Sequence, residues 1–120
     1  MSRIEEFAGL LRKRGYQVES SDSVVIARHP SAPISLEVRL EKDTLYLRLK
    51  YSDIRDYIDD LREAESDESA KEFIEEVLDD LSEAANQLEV LARQKGIRVQ
   101  STVKRDVLDI LEALEDILES

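Results

Sequence analysis

Between residues 34 and 51 apolar and polar residues alternate without a break. Ile34, Leu36, Val38 and Leu40 hold one parity against Ser35, Glu37, Arg39 and Glu41, and Leu45, Leu47, Leu49 and Tyr51 repeat it against Tyr46, Arg48 and Lys50. Period two puts successive side chains on opposite faces of a strand, so the segment reads as a hairpin with one wet face. A two-residue turn at Lys42 and Asp43 sets Glu37 opposite Arg48, an opposite-charge pair that supports this register. Upstream, the β-branched run Val24 to Arg28 predicts a strand, and Tyr16 to Glu19 a shorter one, with a turn at Ser20, Ser21, Asp22 and Ser23. His29-Pro30-Ser31-Ala32-Pro33 is a loop, because proline cannot donate to a ladder.

Helical spacing governs the remainder. Ile4, Phe7, Leu10 and Leu11 predict a helix over 3–14, opened by a capping box of Ser2 with Glu5 and closed at Gly15. Ser52 or Asp53 caps a second helix over 53–64, carrying Ile54, Tyr57, Ile58 and Leu61 on one face. Ser69 with Glu72 offers another capping box, for a long helix whose stripe is Phe73, Ile74, Val77, Leu78, Leu81, Ala84, Ala85, Leu88, Leu91 and Ala92. Gly96 ends it. Ile97 and Val99 cross a connector, for which the alternative is a continuation of the sheet through Ile97 to Gln100. Ser101 or Thr102 then caps a last helix with Val103, Val107, Ile110, Leu111, Leu114, Ile117 and Leu118. So short a connector makes the last two helices antiparallel neighbours. The expected fold is α+β: an N-terminal helix, an antiparallel sheet of three to four strands, then three helices of which the last two form an antiparallel hairpin. The 120 residues read as a single domain, with the helix and sheet in 1–51 and an acidic helical half in 52–120.

Charge sharpens that division. Residues 1–50 hold 9 Lys and Arg against 7 Asp and Glu, whereas residues 51–120 hold 8 against 21, which together give the net −11. An acidic half repels phosphates and anionic lipid, so nucleic acid and membrane are poor partners and a basic protein surface is a better one. Charged residues make up 38% of the chain, with one Asn and no Cys, and Arg outnumbers Lys 11 to 6, a usage that resembles thermophile proteins. Without cysteine there is no disulfide framework, thiolate zinc site or cysteine nucleophile. An acidic N-terminus without an apolar h-region, and no apolar run of about 18 residues, point to a cytoplasmic protein.

Familiar chemistry is scarce. His29 is the only histidine, and its place before Pro30 reads as an exposed loop position without the partners a catalytic base requires. Glu72, Glu76, Asp79 and Glu83 share one side of the long helix, but the carboxylates fall between the apolar positions and so face water. No Glu-x-x-His pair accompanies them. Gly9, Gly15 and Gly96 begin no phosphate-cradling loop. The expectation is no enzyme, no cofactor and no metal.

Two binding surfaces remain. The helical stripe, represented by Ile74, Val77, Leu81, Leu88, Leu91, Val107, Ile110, Leu114 and Ile117, can be satisfied within the chain by the helical hairpin itself, but it is longer than a small sheet can absorb, so part of it is alternatively placed at a dimer two-fold or against a partner. In element order the chain resembles small secretion-chaperone-type folds, which act as dimeric protein-binding scaffolds, an analogy of fold and not of motif. The leading expectation is therefore a non-enzymatic protein-interaction module (an adaptor, chaperone or assembly subunit) acting through the acidic helical half as a homodimer or on a basic partner. The alternative is an accessory subunit touching RNA or DNA through the outer sheet face, with Arg39, Tyr46 and Arg48, and through helix 1, with Arg12, Lys13 and Arg14.

Overall fold

In the computed structural model, which describes residues 3–119, the chain runs α1 (Arg3–Lys13), β1 (Gln17–Ser20), β2 (Val24–Arg28), β3 (Ile34–Glu41), β4 (Thr44–Tyr51), α2 (Ile54–Ala64), α3 (Asp67–Gln94), β5 (Arg98–Ser101) and α4 (Val103–Glu119). The strands make one sheet in the order β1-β2-β3-β4-β5, antiparallel up to β4 and parallel between β4 and β5. The α+β class holds, with four helices and a five-stranded mixed sheet in place of a purely antiparallel one of three or four strands.

The hairpin closes as its alternation requires. Glu41 pairs with Thr44 around Lys42 and Asp43, and Glu37 stands opposite Arg48. Ile34, Leu36, Val38, Leu45, Leu47 and Leu49 are buried on one face together with Val25 and Ala27 of β2. Against that face α1 lays Ile4, Phe7, Ala8 and Leu11. The Ser2 cap lies outside the described residues.

The main departure is β5. Read as a connector, Ile97–Gln100 alternates Ile97 and Val99, which pack on the core, with Arg98 and Gln100, a period-two signal only four residues long. What makes Arg98–Ser101 a strand is the unpaired edge of β4. The Arg98 amide donates to the Asp43 carbonyl at 2.8 Å, and the Thr102 amide to Leu47 at 3.0 Å, groups that would otherwise stay unsatisfied. Beyond β5 the same edge is finished by a side chain: the Leu49 amide donates to Asp106 Oδ2 at 2.9 Å, and Thr102 Oγ1 donates to the same oxygen at 2.8 Å. Asp106→Ala is expected to cost about 1–2 kcal/mol, the usual consequence of stranding a partly buried backbone donor. Urea titration gives the magnitude, and faster hydrogen exchange at Leu49 locates it.

The caps also differ in detail. Ser66, three residues before the expected Ser69, is the N-cap of α3, its Oγ accepting from the Ser69 amide at 3.0 Å. The earlier start places Asp67 and Glu68 in the first turn, where carboxylates complement the helix dipole. Asp53 precedes α2 in a left-handed conformation and makes no side-chain cap bond. Ser101 Oγ accepts from the Val103 amide at 3.2 Å at the head of α4.

At 28 residues α3 is about 42 Å long and sets the 46 Å long axis of the molecule. Its C-terminal half lies near the sheet and α1, while α2 and α4 pack along it. Val103 and Lys104 sit beside Ala85 and Glu89, and at the far end Arg62 of α2 donates to the Ile117 carbonyl at 3.2 Å, so α4 runs back along α3. The link between the two helices is a sheet strand and not a free loop.

Candidate functional site

All four helices sit on one side of the sheet, and the other side carries the polar parity of every strand. Its residues form cross-strand rows: Glu41, Thr44 and Arg98; then Val24, Arg39, Tyr46 and Gln100; then Glu19, Ile26, Glu37 and Arg48; then Gln17, Arg28, Ser35 and Lys50. Five cations face three carboxylates here. In a chain of net −11 this face is the cationic part of the surface.

Glu37 lies at its centre and is only 8% exposed, although no helix covers it. Arg48 Nε and Nη2 each reach Glu37 Oε1 at 2.9 Å, and Lys50 Nζ reaches Oε2 at 2.9 Å. Burial alone would raise the Glu37 pKa, but hydrogen bonds from Lys50 and Arg48 outweigh it and hold the carboxyl below its usual range. Two cations share one carboxylate, so a positive charge at the centre of the face is unbalanced. Arg39 lies over the Tyr46 ring, 5.2 Å from its centroid, and its Nε is 3.2 Å from Glu41 without the alignment of a hydrogen bond. Arg28 pairs with Glu19 at 2.8 Å, and Arg98 makes no ion pair among the described residues.

Two open depressions flank the Glu37 cluster. One, of about 410 Å³, is bordered by Arg39, Tyr46, Arg48, Gln100 and Thr102. The other, of about 570 Å³, is bordered by Ile26, Arg28, Pro33, Lys50 and Tyr51. Of the residues expected to touch nucleic acid, Arg39, Tyr46 and Arg48 thus converge on one groove. Arg12, Lys13 and Arg14 do not join them, because α1 packs on the opposite side of the sheet. There Arg12 pairs with Glu5 at 3.3 Å and Arg14 with Asp80 at 2.8 Å. Arg28, Lys50 and Arg98 were missed. The parity of their strands would have shown the first two, whereas Arg98 depends on β5.

The helical stripe lies inside the chain. Ile74, Val77, Leu81, Leu88, Ile110, Leu114 and Ile117 are buried, and Leu91 and Val107 are partly buried against the same core. What the helical half offers outward is carboxylate: Glu72, Glu76, Asp79 and Glu83 are exposed, as are Glu112, Glu115 and Asp116 on α4. Val90, 56% exposed, and Leu108, 61% exposed, are isolated apolar residues on it.

A second polar cluster joins the halves. Asp80 on α3 accepts from Arg14 at 2.8 Å and from the Tyr16 hydroxyl, and His29 Nε2 stands 3.7 Å away. His29 is half-buried, unlike the exposed loop residue expected, with its ring 5.9 Å from that of Tyr16. Its Nδ1 accepts from the Ser31 amide at 3.0 Å, which assigns the proton of the neutral ring to Nε2. Burial pushes the His29 pKa down, against the pull of Asp80. Burial, followed by the bond to Asp80, pushes the Tyr16 pKa well up. These bonds tie α3 to the segment after α1 and to the loop after β2, so the cluster is a clamp.

Among the described residues no three His, Asp or Glu side chains are disposed to hold a metal ion, and no helix is long and apolar enough to cross a membrane. The chain matches no protein-family model, no curated protein and no solved structure.

Proposed function

We propose that this chain is a non-enzymatic protein-interaction module, an adaptor, chaperone or assembly subunit, that engages a basic partner through its acidic helical half. One observation carries the reading: the apolar stripes of α3 and α4 are spent on each other and on the rest of the core, leaving a helical exterior dominated by carboxylates. Recognition there must come from charge, which favours fast, salt-sensitive association with a cationic surface. A homodimer would require a surface other than the stripe.

Fluorescence anisotropy with a labelled lysine-rich peptide tests the reading. Affinity is expected to fall at least tenfold between about 50 and 500 mM salt. It should fall similarly in the Glu72→Lys, Glu76→Lys, Asp79→Lys triple variant, whose changes are all at exposed positions. Equal binding by the variant would remove the proposal.

The second reading is contact with RNA or DNA through the outer sheet face. It is favoured by the convergence of Arg39, Tyr46 and Arg48 on one groove. Against it stand the net charge of −11 and the separation of this face from the cations of α1. Oligonucleotide binding at low salt that is weakened by Arg39→Ala or Arg48→Ala supports it, and no binding at low salt removes it.

A further inference from the structure

The open sheet face is left out of the leading proposal, and its chemistry is opposite to that of the helical half. We infer that this face binds an extended, acidic segment of a partner protein, with two carboxylates about four residues apart, one seated in each depression.

Three features lead there. First, the charge is complementary: Arg28, Arg39, Arg48, Lys50 and Arg98 outnumber Glu19, Glu37 and Glu41, Glu37 is shared by two cations, and Arg98 is unpaired among the described residues. Each depression has two cations on its border, Arg39 and Arg48 in one, where Glu37 lies beside them already paired with Arg48 and Lys50, and Arg28 and Lys50 in the other. Second, the spacing fits. The groove at Tyr46 and Gln100 lies two rows along the strands and about two strands across from the depression at Arg28 and Pro33. At about 6.7 Å per row and 4.8 Å per strand the two are roughly 16 Å apart, while positions i and i+4 of an extended segment are about 13 Å apart, and the remaining roughly 3 Å is within the reach of two glutamate side chains. Alternate residues of such a segment point to one side, so acidic side chains at positions i and i+4 both face the sheet. Third, Val24, Ile26 and the ring of Tyr46 supply partly exposed apolar surface between the charges, suited to apolar side chains placed between the two acids. Arg and Tyr are also the side chains that interfaces favour.

A short acidic peptide is preferred here to nucleic acid for an electrostatic reason. A polyanion continues past the edge of the face and meets the residues that carry the −13 of the helical half, whereas a five-residue contact ends on the cations.

The probe is a fluorescein-labelled octapeptide with two glutamates four residues apart and apolar residues between them, titrated with the full chain at about 50 mM salt. The same peptide with lysine for glutamate and an eight-residue thymidine oligonucleotide are the controls. Saturable binding is expected to weaken at least tenfold in Arg39→Glu/Arg98→Glu and, independently, in Arg28→Glu. None of these arginines touches Glu37, and the contacts Arg28 and Arg39 lose, to Glu19, Glu41 and Tyr46, are on the exposed face, so circular dichroism and a thermal melt of each variant confirm that it is folded at the binding temperature. No binding of the acidic peptide, binding unchanged by both variants, or tighter binding of the oligonucleotide would each overturn the inference. Because the lysine peptide reports on the helical half, its retention by the sheet-face variants separates failure here from failure of the leading proposal.

Discussion

Leu81→Ala is expected to destabilise the protein by about 3–4 kcal/mol, the usual cost of removing a fully buried leucine together with the cavity that remains. Leu81 is completely inaccessible, in the middle of α3, within a core that includes side chains from α1, the sheet, α2 and α4. The loss should appear as a fall in the thermal midpoint that is the same across a hundredfold range of protein concentration, because the surface removed lies within one chain. If Leu81 were instead a contact between two copies, the midpoint would depend on concentration and the variant would dissociate before it unfolded. Differential scanning calorimetry at the two ends of the range separates the cases. A change of this size takes a large share of the 5–15 kcal/mol that stabilises a typical domain.

Asp80→Ala is expected to cost about 2 kcal/mol at neutral pH. It leaves the Tyr16 hydroxyl and the largely buried Arg14 guanidinium without their common acceptor, a loss reduced because the Asp80 side chain is 41% exposed. The pH dependence is the more specific signature. Burial raises the Asp80 carboxyl, but the bonds from Tyr16 and Arg14 outweigh it and hold the pKa below the ordinary 3.8. A depressed acid stabilises the fold above its unfolded pKa, and the contribution disappears as pH falls through the folded value. Tyr16 has the opposite sign. Its pKa is raised above the ordinary 10.0, so the unfolded chain loses that proton first and stability declines as pH climbs past 10. The free-energy difference between wild type and Asp80→Ala, from urea titrations, should therefore be greatest near neutrality. It should shrink below about pH 4 and above about pH 10. A difference that stays flat across that range would mean that Asp80 acts only by packing. His29, whose pKa is depressed by burial, adds an acid-side loss beginning near its ordinary value of 6.5, and His29→Gln should remove that step alone.

These two residues illustrate what the sequence could and could not reveal. The β3–β4 hairpin was legible to the individual pair, because period-two alternation and the Glu37–Arg48 match constrain the register from both sides. The convergence of Arg39, Tyr46 and Arg48 followed from the same parity. β5 was not legible as the main reading, since the alternation of Ile97 and Val99 spans only four residues and its pairing depends on the edge that β4 leaves open. The clamp was hidden for a similar reason: Asp80 is 51 residues from His29 and 64 from Tyr16, and its neighbours on α3 look like those of any solvated carboxylate. The apolar helical stripe was legible, but the surplus expected from it at a dimer two-fold is not seen, since the stripe is buried within the chain. Its destination depended on α2 and α4 both packing on α3, a tertiary fact that periodicity does not encode. Arg12, Lys13 and Arg14 were grouped with the sheet cations on charge alone, and the side of the sheet chosen by Phe7 and Leu11 separates them.

The division of cations and carboxylates between the two sides of the sheet also bears on how the molecule behaves in bulk. Negative helices behind a positive sheet face make a permanent dipole, superimposed on a monopole of −11. At moderate ionic strength the Debye length, about 8–10 Å, is shorter than the molecule, so a neighbouring copy responds to the nearer face and not to the total charge. Copies approaching front to back then attract while those approaching back to back repel. The osmotic second virial coefficient should accordingly lie below that of an evenly charged sphere of the same net charge, and charge reversal on the sheet face should bring it back up.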